Sequence, residues 1–110
     1  MSIHPKTAVE FVGLVKESPL CFVKWGASWC GPCRVIQPFF DKYAAANAEK
    51  AKFVVIEADE EEFEPLAAEY KITALPTFHV FVDQKLVKLI TGANPKALES
   101  LINEFVNEKK

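Results

Sequence analysis

Apolar positions along this chain alternate between two spacings. Ile36, Phe39, Phe40 and Tyr43 recur at i, i+3, i+4 and i+7, the stripe of one helix face. That pattern predicts a helix running to about Asn47, with Pro38 inside it expected to introduce a kink. Ala8, Phe11, Val12 and Val15 form an earlier stripe, opened by Thr7-Ala8-Val9-Glu10, which has the form of a capping box, and closed by Glu17-Ser18-Pro19. Phe63, Leu66, Ala67 and Tyr70 form a third. The acidic run Asp59 to Glu62 sits at the positive end of that helix, and Pro65 lies near its first turn. Leu98, Leu101, Ile102 and Phe105 form the last, preceded by Asn94 as N-cap and Pro95 at the first helical position.

Between these stripes lie short β-prone runs. Leu20 to Trp25 and Phe53 to Ile56 show little polar alternation, as expected of strands covered on both faces. Phe78 to Val82 and Leu86 to Ile90 read as an antiparallel pair joined at Asp83-Gln84-Lys85, a turn without glycine whose type the residues leave open. Ile3 is a candidate for a short edge strand. The predicted order is βαβαβαββα: an α/β fold with a central mixed sheet and helices on both faces.

The 110 residues suit one domain, 1–110, and half of them are hydrophobic, enough for a core without staples. A net charge of −2 with no basic stripe gives nucleic acid no electrostatic footing. No apolar run approaches the roughly 18 residues of a membrane span. Met1 to Glu10 has neither an apolar core nor transit-peptide character, so nothing there marks the chain for export. Three cysteines do not make a secreted disulfide framework. A reducing, cytoplasmic compartment fits best.

The chemistry concentrates in Trp29-Cys30-Gly31-Pro32-Cys33, which falls where a buried strand ends and a helix begins. Unpaired N–H groups and the positive dipole end stabilise a thiolate there, and Pro32 lacks an N–H that an opening turn would not use. Two thiols at this spacing can close a small ring and cycle between dithiol and disulfide. The same spacing is also half of a zinc site. Zinc needs four ligands, and the remaining candidates, Cys21, His4 and His79, make no second close pair, so no metal is expected.

That pentapeptide, followed by Leu75-Pro76-Thr77-Phe78 and by Gly92-Ala93 in this order, resembles the thioredoxin family over nearly the whole chain. The resemblance implies a thioredoxin fold and a protein disulfide reductase. Cys30 corresponds to the attacking, more exposed cysteine and Cys33 to the buried resolving one. Pro76 corresponds to a cis-proline facing the disulfide. Trp29, Gly31, Pro32, Leu75, Pro76, Gly92 and Ala93 correspond to the surface that receives the substrate, with Leu75 pairing its backbone with an extended stretch of the partner. The implied partners are disulfide-containing proteins and a thioredoxin reductase, usually a flavoprotein drawing on NADPH. No cofactor is implied for this chain itself.

The chain departs from the family at Lys24, where a buried Asp is usual, and at Val55, where a charged residue often stands. Trp25 occupies a usual Phe place and Gly26 an aromatic or small one. Lys24 has two readings. Its stem packs in the core while its ammonium reaches water or an acid such as Glu57; or it lies under the cysteines, favouring their thiolates or acting neutral as a base. Cys21 reads as a small core residue, and His79 and Trp25 as structural. Two further functions share the fold: a disulfide oxidase or isomerase, which Pro32 disfavours because oxidants of this fold often carry His there, and a redox-independent binding module.

Overall fold

The computed structural model describes residues 2–107. Helix α1 (Ala8–Glu17) begins after Thr7, and its first turn is capped by the Thr7 hydroxyl accepting from the Glu10 N–H at 3.1 Å. Then come β1 (Leu20–Gly26), α2 (Gly31–Ala46), β2 (Lys52–Glu57), a 3-10 turn (Glu61–Phe63), α3 (Glu64–Glu69), β3 (Thr77–Val82), β4 (Lys85–Thr91) and α4 (Pro95–Asn107). Asn94 caps α4, its side-chain oxygen accepting from the N–H groups of Lys96 and Ala97.

The four strands form one mixed sheet in the order β2-β1-β3-β4. β1 and β2 run parallel; β3 is antiparallel to both β1 and β4. The expected first strand is only an isolated parallel bridge, Ile3 to Val54, held by two backbone hydrogen bonds. The hairpin turn is Asp83-Gln84. Both residues have positive φ, 50° and 74°, the left-handed geometry that a two-residue turn of the I′ kind demands. The expected third helix is split: the acidic run leads into the 3-10 turn, and α3 proper is only six residues. α2 is continuous through Pro38, which lies on its exposed side.

Strand parity sorts the core into two layers. Leu20 and Phe22 of β1, with Phe53, Val55, Phe78 and Val80, pack under α2 and α4. Cys21, Val23 and Trp25, with Val54, Ile56 and Phe81, pack under α1 and the segment after β2. Every residue of β1 is buried, as its uninterrupted apolar run foretold. Parity has one chemical consequence. Lys24 falls on the α2 face, beneath the helix that carries the cysteines.

Candidate active site

β1 delivers the chain to the start of α2, and Cys30 becomes the N-cap of that helix. Its sulfur accepts the backbone N–H of Cys33 at 3.2 Å, taking up one of the donors that a helix start leaves unpaired. Cys30 and Cys33 are joined as a disulfide with Cα atoms 5.3 Å apart. Both are nearly closed to solvent in this state, at 4% and 2% exposure, so the expected difference in accessibility between them is small. They differ in what they face. Cys30 lines a groove of about 480 Å³ with Trp29, Pro32, Ile72 and Leu75, whereas Cys33 lines a separate pocket of about 240 Å³ with Lys24, Ala27, Ser28 and Glu57.

The loop before Cys30 is clamped. The Ser28 hydroxyl donates to Asp59 Oδ2 at 2.6 Å, and Arg34 Nη1 donates to the Ser28 carbonyl at 2.7 Å. The Ser28 hydrogen bond holds the Asp59 carboxyl below the usual range. Trp29 is left 69% exposed beside the disulfide.

The Leu75–Pro76 peptide is cis, as the resemblance implied. Leu75 packs on Ala27, Cys30 and Cys33. The Gly92 N–H donates to the Pro76 carbonyl at 2.9 Å, which ties the Gly92-Ala93 loop to the proline. The expected substrate surface therefore divides. Trp29, Gly31, Pro32 and Leu75 line the groove; Pro76 is buried beneath it, and Gly92 and Ala93 lie beyond Pro76. Ala58, Ile72 and Thr73 also line the groove and were not anticipated. Only their position after a buried strand or before the Leu75-Pro76 pair could have indicated them.

Lys24 is 2% exposed, so of the two destinations in the simpler reading, water or an acid such as Glu57, the structure leaves the acid, which lines the same pocket. It donates to Gln37 Oε1 at 2.6 Å. Burial pushes the ammonium below the ordinary lysine range, while Glu57 and Asp41 act in the opposite direction. Cys21 is a free buried thiol, pushed up to about 12 by desolvation, and takes no part in the site. His79 is also remote: its Nδ1 accepts from Trp25 Nε1 at 3.1 Å on the other face of the sheet. Among the described residues no cluster could hold a metal ion.

The Thioredoxin family model matches residues 2–104. The chain is 40% identical to a thioredoxin of Coprinus comatus over 99 residues, covering 86% of this chain and 89% of that one. It is 38% identical to mitochondrial thioredoxin-3 of Saccharomyces cerevisiae over 96 residues, covering 87% and 73%. The solution structure of oxidised thioredoxin from Plasmodium falciparum superposes with a TM-score of 0.88 at 29% identity, covering 96% of this chain and 99% of that one. With the Cys30–Cys33 disulfide at the start of α2, the cis-proline beside it and these matches across the sequence, the chain belongs to the thioredoxin family.

Proposed function

We propose that this thiol-disulfide oxidoreductase works as a general reductant of protein disulfides, with Cys30 as nucleophile and Cys33 as resolving thiol. The supporting observation is the different setting of the two sulfurs. Cys30 lines the groove beside the exposed Trp29 and accepts a helix N–H; Cys33 lines the smaller pocket with Lys24 and Glu57.

The Cys30 thiolate attacks one sulfur of a substrate disulfide. A mixed disulfide forms, and the other substrate sulfur leaves as a thiolate. Cys33, deprotonated, then attacks the Cys30 sulfur. The Cys30–Cys33 bond forms, the bond to substrate breaks, and two electrons have passed from the dithiol to the substrate. Cys33 is tethered three residues away, so the second attack is intramolecular and fast. The exposed Trp29, Gly31-Pro32 and Leu75 offer an apolar floor for an extended peptide, with the backbone beside Pro76 available for strand-like pairing. A thioredoxin reductase returns the disulfide to the dithiol. A cytoplasmic, thiol-reducing setting is the one that keeps a disulfide reductase in its dithiol form.

Insulin reduction by dithiothreitol tests this. The native protein is expected to accelerate it, and Cys30→Ser to abolish the acceleration. A Cys30→Ser protein that still catalysed insulin reduction would overturn the proposal; loss of catalysis with unchanged capture of partners would instead mark a binding module.

A further inference from the structure

The pocket behind the disulfide contains a buried charge whose placement is built by several residues. Lys24, Gly26, Val55 and Glu57 share the α2 face of the sheet by strand parity, and Gly26 stands directly beside Glu57 in the β1–β2 register. Gly26 has no side chain where one would intervene. A Cβ there would lie 3.3 Å from Cys33 Sγ and 3.4 Å from Lys24 Nζ, so sulfur and ammonium both border the space that the glycine leaves open and lie no further apart than those two distances together.

The ammonium is held in that position. Gln37 Oε1 accepts from it, and the Gln37 amide is oriented by its own Nε2 donating to Asp41 Oδ1 at 2.9 Å. Glu57 lines the same pocket as Lys24 and Cys33, with Oε1 buried and making no hydrogen bond among the described residues. Its charge favours the protonated lysine. The remaining charged or titratable groups around the pocket are Asp41 behind Gln37, and His4 and Arg34 on the wall.

We propose that Lys24, held by Gln37 in the pocket it shares with Glu57, is the charge partner of Cys33 and stabilises its thiolate for the attack that resolves the mixed disulfide. This rests on the disulfide-reductase function proposed above. The Cys33 proton passes to solvent, and the lysine acts as the protonated cation beside the thiolate left behind. A cation beside the sulfur assists thiolate formation, whereas the Glu57 carboxylate in the same pocket opposes it.

The test is thiolate absorbance against pH in a Cys30→Ser background, in which burial pushes the remaining free thiol, Cys21, up to about 12 and out of the range followed. Lys24→Met is expected to raise the Cys33 titration by about one pH unit, the low end of the effect of an adjacent opposite charge. Lys24→Arg is expected to restore it. A Lys24→Met protein that titrates like its parent overturns the proposal, whatever its stability. If Lys24→Met does not fold, native protein with ¹³C-labelled lysine replaces it. Lys24 is then expected to titrate at higher pH in the reduced than in the oxidised protein, and identical titrations overturn the proposal. Neither readout needs turnover, so a failed insulin assay with an intact Lys24–Cys33 coupling would reject the reductase function alone.

Discussion

The backbone N–H of Cys33 donates to the sulfur of Cys30 at 3.2 Å, so one cysteine of the pair supplies part of the anion site for the other. A thiolate at Cys30 gains that charge-assisted bond and the positive end of a helix 16 residues long. Cys33, one turn further in, has no equivalent donor given to it by Cys30. Reduced protein is therefore expected to alkylate first at Cys30. Brief iodoacetamide labelling with peptide mapping checks this. Early modification led by Cys33, or by the buried Cys21, would contradict the assignment.

The same asymmetry fixes the outcome of trapping. Cys33→Ser retains the nucleophile and loses the thiol that releases substrate, so mixed disulfides with substrate proteins are expected to accumulate at Cys30. Cys30→Ser is expected to yield few. Non-reducing gels of the two variants after incubation with a disulfide-bearing protein separate the cases, and equal trapping by both would remove the distinction in roles.

Much of this arrangement was legible because it rests on local rules. The unbroken apolar run of β1 announced a strand buried on both sides, and the capping residues Thr7 and Asn94 marked two helix starts. The parts that were not legible depend on distant groups. Ile3 has the composition of a strand, yet with one bridge partner it forms no ladder. Asp83 and Gln84 adopt positive φ because strand pairing from Val82 to Lys85 leaves only two residues for the reversal. The direction of the Lys24 ammonium was undecidable along the chain. It is set by Gln37, thirteen residues away on α2, and by Glu57 on the neighbouring strand.

Gly92 links the two loops that flank the site. Its φ is +97°, a region that side-chain-bearing residues rarely adopt, and its N–H donates to the Pro76 carbonyl. No atom lies within 4 Å of the position a Cβ would take, so the obstacle to substitution is the backbone conformation and not a clash. Gly92→Ala is expected to lose about 1 kcal/mol of stability, the strain outweighing the entropy gained in the unfolded chain. Urea unfolding checks this, and an unchanged or higher midpoint at constant m-value would contradict it.

Stability is expected to depend on pH through a residue far from the dithiol. His79 is 1% exposed, packed among Trp25, Tyr70 and Phe81, and burial lowers its pKa from 6.5 to about 4. Protonating Nδ1 would also remove the acceptor for the Trp25 indole N–H. The unfolded chain takes up a proton near pH 6.5, whereas the folded one resists until about 4. Between those values the unfolded state binds more protons, so stability is complete above pH 6.5, falls with pH, and is lost from this source once both states are protonated. The full difference amounts to about 3 kcal/mol at 1.36 kcal/mol per pKa unit. Carboxylates contribute only toward the acid end, so the window from pH 6.5 to 5 reports chiefly on the histidine. His79→Leu is expected to be less stable than the native protein at pH 7 by about 1 kcal/mol, from the orphaned indole N–H, and to have a flatter profile across that window. Denaturant midpoints at half-unit pH intervals decide the matter: equal slopes in the two proteins would show that His79 is not the group responsible.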